Sequence, residues 1–163
     1  MATPEELNKA GMDFHKAGRY AEAVAAYEEA LAGRGDYAAC WVNLALAQLK
    51  RGRPDEAIRA AERAVGLAPQ AGQARFQLAS ALSAKGRWNE AVTEYTRAAD
   101  TDPAQCASFL FAGNLCMDHG LAAKAVELWK RFLSAAPADH PRRTEAEEQV
   151  RSAESGPGLI SKF

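Results

Sequence analysis

The sequence predicts an all-α fold, an α-solenoid of four helical hairpins stacked in line and closed by one further helix. Three observations predict it. The stretch "KAGRYAEAVAAYEEAL" at residues 16–31 is written again, with modest changes, as "AKGRWNEAVTEYTRAA" at 84–99. Gly18, Gly52, Gly86 and Gly120 recur every 34 residues, in phase with Ala23, Ala57, Ala91 and Ala125 and with Val24, Ile58, Val92 and Val126. Pro69, Pro103 and Pro137 close the second, third and fourth copies, and Gly35 holds that place in the first. A fixed period of this length marks units that cannot bury an apolar face alone and must stack.

The units run 4–37, 38–71, 72–105 and 106–139, and each reads as two helices joined by a tight turn. The first opens on "TPEE", which puts Thr3 at an N-cap, Pro4 at the first helical position and Glu6 where a capping box needs it. In the second, "AACWVNLALAQLKRG" sets Trp41, Leu44, Ala45 and Gln48 on one face. It ends at Gly52, where a helix C-terminus takes a left-handed residue. The following "RPDEAIRAAERAVGLAP" starts on Pro54, carries the stripe Ala57, Ile58, Ala61, Ala64 and Val65, and stops before Pro69. Side chains of one methyl at Ala23, Ala57, Ala91 and Ala125 let paired helices approach, while Tyr27, Tyr95 and Trp129 fill the space beside them. After Pro137, Asp139 is the cap candidate for a solvating helix over 140–155, whose apolar stripe is Ala146, Val150 and Ala153. The run Gly156-Pro157-Gly158 then breaks any helix and leads into a flexible apolar tail, 156–163, with Leu159, Ile160 and Phe163.

Charge and chemistry narrow the function. A net charge of −1 and a pI near 6.3 provide no basic footprint for nucleic acid. The apolar runs are broken by charges too often for membrane insertion. Three cysteines, Cys40, Cys106 and Cys116, read as reduced thiols in a cytoplasmic setting. No cofactor or metal is expected: His15, His119 and His140 lie in unrelated phases and pair with no cysteine at a ligand spacing. No phosphate loop, HExxH or GxSxG occurs, so the chain is not read as an enzyme. Glu22, Glu56 and Glu90 recur with the period and read as structural charges flanking the interhelix turns.

The repeat resembles the tetratricopeptide repeat. Hairpin one supplies its pattern as Leu7, Ala10, Gly11, Phe14, Ala23, Tyr27 and Ala30, and hairpin two as Trp41, Leu44, Ala45, Ala57, Ala64 and Pro69. Hairpin three gives Leu78, Ala79, Leu82, Ala91, Tyr95, Ala98 and Pro103, with Arg75 at the bulky place. Hairpin four gives Phe109, Ala112, Gly113, Ala125, Trp129 and Pro137. The resemblance implies a right-handed superhelix whose first helices line a concave groove for a peptide or partner helix. By matching phase the groove residues are Asn8, Met12 and His15 in the first hairpin and Val42, Asn43, Leu46 and Leu49 in the second. The third offers Gln73, Phe76, Gln77 and Ser80, and the fourth Leu110, Asn114 and Met117. The family's clamp for a terminal carboxylate uses basic side chains where this chain has Asn8, Met12, Gln73 and Gln77, so that ligand is not expected.

The reading is therefore an interaction scaffold or adaptor that binds an apolar or amphipathic segment of another protein in this groove. The competing reading of the same apolar residues is packing between hairpins. A second function class implied by the resemblance is a small bacterial chaperone of the secretion type, and the alanine-rich, lysine-poor composition fits a GC-rich bacterial genome. The apolar tail at 156–163 offers a route to self-association, or is simply a frayed terminus.

Overall fold

The computed structural model describes residues 1–156, so the tail reading at 156–163 lies, apart from Gly156, outside the described residues. Among the described residues the regular structure is entirely helical. Helices pair as α1 (Pro4–Lys16) with α2 (Tyr20–Gly33), α3 (Ala38–Lys50) with α4 (Pro54–Leu67), α5 (Gly72–Ala84) with α6 (Trp88–Thr101), and α7 (Ala107–Asp118) with α8 (Ala122–Ala135). A short 3-10 turn, Pro103–Gln105, precedes α7, and α9 (Arg143–Ser155) packs on α8 at the end of the stack. Each helix also packs on the next in the chain, so the core is one continuous seam. The first helices α1, α3 and α5 touch in succession, whereas second helices make no comparable contact with one another. That unequal spacing bends the stack so that the first helices line its inner side.

The four period glycines do one job. Gly18, Gly52, Gly86 and Gly120 have φ of 74°, 72°, 81° and 76°, the left-handed region. In each turn the glycine N–H returns to the carbonyl three residues back, and the following N–H to the carbonyl five back, at 2.8–3.0 Å. This is a Schellman ending written four times. Beyond it Arg19, Arg53 and Arg87 reach Glu22, Glu56 and Glu90 at 3.0, 3.6 and 2.7 Å, so the recurring acids flank the turns as structural charges. At the start of α1 the Thr3 hydroxyl accepts from the Glu6 N–H and the Glu6 carboxylate from the Thr3 N–H, completing the capping box.

Inside each hairpin the alanine column is sealed: Ala23, Ala57, Ala91 and Ala125 have no exposed surface. A Cβ on Gly11 would lie 2.4 Å from the Tyr27 ring, and one on Gly113 would lie 2.5 Å from that of Trp129. Hairpin two has alanine at both matching positions, Ala45 and Ala61, and both are buried. Hairpin three keeps Ala79 with Tyr95, whose hydroxyl is held 3.0 Å from Ser80 Oγ. Arg75, at the bulky place of hairpin three, extends to Glu94 on α6 at 3.0 Å. Cys40, Cys106 and Cys116 are buried, and burial raises the Cys40 thiol to about 12.

The C-terminal helix departs from expectation. It starts at Arg143, not at 140, and Asp139 does not cap it. Pro141 keeps His140 out of helical backbone. The His140 ring sits edge-on to Phe132 at 5.0 Å, and its Nδ1 accepts from the Arg142 N–H.

Substituting Gly52 or Gly86 by alanine meets open space but the wrong backbone, and each should cost about 1–2 kcal/mol in urea unfolding. Gly113→Ala should cost about 1–3 kcal/mol for the opposite reason, a clash at ordinary backbone angles. The clash should largely vanish in a Trp129→Ala background, a coupling readable in a double-mutant cycle. Equal cost of Gly113→Ala in both backgrounds would contradict the packing account.

Candidate functional site: the inner face of the first helices

Three stations follow one another along the inner face. The first lies between α1 and α3 over Tyr27, a cavity of about 160 Å³ lined by Met12, His15, Lys16, Tyr27, Asn43 and Leu46. Its floor is polar and crosslinked. Asn43 Nδ2 donates to Asn8 Oδ1 at 3.0 Å, and Asn8 Nδ2 donates to the Tyr37 hydroxyl at 3.3 Å. Burial, then the neighbouring Cys40 and Asp13, push the Tyr27 hydroxyl up to about 12, so it stays protonated.

The second station is aromatic. Phe76 meets Tyr95 and Phe111 edge-on, both at 5.4 Å, and Tyr95 stacks on Phe111 at 5.6 Å. Such pairs add about 0.5–1.5 kcal/mol beyond their burial. The Arg142 guanidinium lies 4.8 Å over Phe111 while making two 2.9 Å bonds to Glu145. The third station is a cleft of about 500 Å³ between α7, α8 and α9, with Asn114, Met117, Asp118, Trp129 and Gln149 in its wall. There the Trp129 indole N–H donates to Asn114 Oδ1 at 2.9 Å, while Gln149 Oε1 is buried without a partner among the described residues.

Not every residue expected to face a groove is open. Met12 and Gln73 are exposed, although Gln73 Oε1 already accepts from Gln105 at 3.0 Å. His15, Val42, Asn43, Leu46, Leu49, Phe76, Ser80, Asn114 and Met117 are half-buried. Asn8, Gln77 and Leu110 are buried, and Leu110 has no exposed surface at all. Leu110 is therefore core, a correction to its place in the groove. On the approach to α9, Arg142 lies over the residue that follows Leu110, Phe111. Phe111 is the aromatic the sequence reading missed. Its signal was its place one residue after Leu110, in the phase of Asn43 and Gln77.

The last groove-side residue of each first helix reads Lys16, Lys50, Ala84 and Asp118 along the stack. Lys50 acts on its neighbour: burial first, and then the Lys50 ammonium, hold His15 below its ordinary value of 6.5. The unfolded chain holds that proton more tightly. The stability this group contributes is therefore complete above about pH 6.5 and lost as pH falls through the folded value. Lys50→Gln should raise the His15 midpoint in an NMR titration, and an unmoved midpoint would leave burial as the whole cause.

Comparison with known proteins agrees with this architecture. Two models, each described as tetratricopeptide repeat, match residues 8–72 and 48–110. Curated protein sequences provide no match. Among solved structures, a crystal structure of MamA shares 21% identity at a TM-score of 0.78, covering 91% of this chain and 85% of its own. YrrB, described as a TPR protein with an unusual peptide-binding site, shares 25% identity at 0.73, over 89% of this chain and 74% of its own. The first TPR domain of Spaghetti (RPAP3), bound to the HSP90 peptide SRMEEVD, shares 19% at 0.69, over 72% and 94%. With the 34-residue period, the four left-handed glycines and two models that together match residues 8–110, the chain belongs to the tetratricopeptide repeat family.

Proposed function

We propose that this protein is a non-catalytic interaction scaffold that receives an apolar or amphipathic segment of another protein along the inner face of its first helices. The observation that carries the reading is the set of half-buried apolar side chains on the first helices: Val42, Leu46 and Leu49, then Phe76 and Phe111, then Met117, with exposed Met12 at its start. Side chains left partly open in a row on a curved surface are the ones a partner can finish burying, each contributing about 1.5–3 kcal/mol when fully covered. The peptide-binding site described for YrrB and the HSP90-peptide complex of RPAP3 support the reading by kinship of fold. Among the described residues no group of three or more His, Cys, Asp or Glu side chains is placed to hold a metal ion. No described helix is long and apolar enough to cross a membrane.

Peptides selected from a random library against the intact chain should lose at least tenfold in affinity when Met12 and Leu46 are both changed to serine, with helical circular dichroism unaltered. The exposed outer-face change Arg59→Glu should leave that affinity alone. Equal binding by wild type and the double serine variant would place the ligand elsewhere. Leu110 is unsuitable as a probe because a polar residue there would break the core.

A further inference from the structure

Building on the groove reading, we propose that its first station selects an acidic, hydrophobic segment: one apolar side chain seated between α1 and α3, with an Asp or Glu close to it in sequence held by Lys16 and Lys50. The cavity accounts for the apolar part. At about 160 Å³ it has room for one aliphatic side chain, with Met12, Leu46 and the Tyr27 ring in its wall, and Met12 is 39% exposed. The charges account for the rest. Other cations along the turn edge have partners: Arg19 pairs with Glu22, Arg53 with Glu56 and Lys85 with Asp55, while Arg51 donates to Gln48 Oε1. Lys16 and Lys50, which follow the cavity-lining turns of α1 and α3, are exposed and form no ion pair among the described residues. Asp13, the carboxylate closest to Lys16 in sequence, pairs with neither, and its charge is felt instead at the Tyr27 hydroxyl. Lys50 is near enough to His15 to depress its basicity, so positive potential converges on the rim of the apolar cavity. A ligand carboxylate there would meet two ammonium groups that pair with no carboxylate among the described residues, and charge-assisted bonds of that kind are the stronger ones.

The test is a selection from a displayed random-peptide library with both peptide ends blocked, so that no chain-terminal carboxylate contributes. It is run in parallel on the intact chain and on its Lys16→Glu/Lys50→Glu variant. Both positions are exposed, and circular dichroism checks the fold. The wild-type chain should enrich peptides with Asp or Glu within three residues of a Leu, Ile, Val, Met or Phe. Those peptides should bind the variant at least tenfold more weakly, and the variant should enrich Lys or Arg at the same place. An Arg59→Glu/Lys124→Glu control, equal in net charge and away from this station, should select the wild-type motif. Neutral or basic motifs on the wild-type chain, or equal affinity for wild type and the lysine variant, would overturn the charge proposal and leave the groove standing. Absence of any enriched peptide from both proteins would bring down the groove reading together with it.

Discussion

Everything in this molecule depends on how closely two helices of a hairpin can lie. Sealed alanines at 23, 57, 91 and 125 set that distance, because a side chain larger than a methyl would hold the helices apart. The Schellman glycines then return the chain at a fixed angle, with the left-handed backbone reserved to residues that adopt it without strain. Spacing and angle together fix where the next hairpin must sit. The curvature of the stack is the accumulated result of these local choices, which is why a binding surface can arise here without any residue being dedicated to shaping it.

The inner face inherits its character from that curvature. Successive first helices are close enough for Asn43 to bond Asn8, and for Phe111 to meet Phe76 of the hairpin before edge-on. Contacts that fasten the stack therefore also build the floor on which a ligand would rest. Side chains above that floor are only half covered, and from Lys16 to Asp118 the charge at the turn edge runs from positive to negative. A segment lying across it meets different chemistry at its two ends, which gives the surface a direction.

Much of this was legible in the sequence because periodicity transmits backbone geometry faithfully. The four glycines sit in equivalent turns, and the capping box at Thr3 is formed. Phase alone is blind to what covers a residue. Leu110 shares its phase with half-buried Val42 and Phe76, yet it has no exposed surface. The start of α9 was also misplaced, since a proline two residues beyond Asp139 and the contact of His140 with Phe132 override a good capping residue. The link between Asn8 and Asn43 joins side chains of two different repeats, and no pattern within one repeat announces it.

The exchange of bulk between Gly113 and Trp129, and between Gly11 and Tyr27, has a historical corollary. Hairpins one and four divide the space as glycine with an aromatic, hairpin two as alanine with alanine, and hairpin three as alanine with Tyr95, so each has settled its interior in its own way. Where a Cβ would lie 2.4–2.5 Å from the ring, as at Gly11 and Gly113, the glycine can gain its methyl only if that ring shrinks or shifts. The units of this array are thus no longer interchangeable parts, and recombination that mixed half of one with half of another would assemble mismatched interiors.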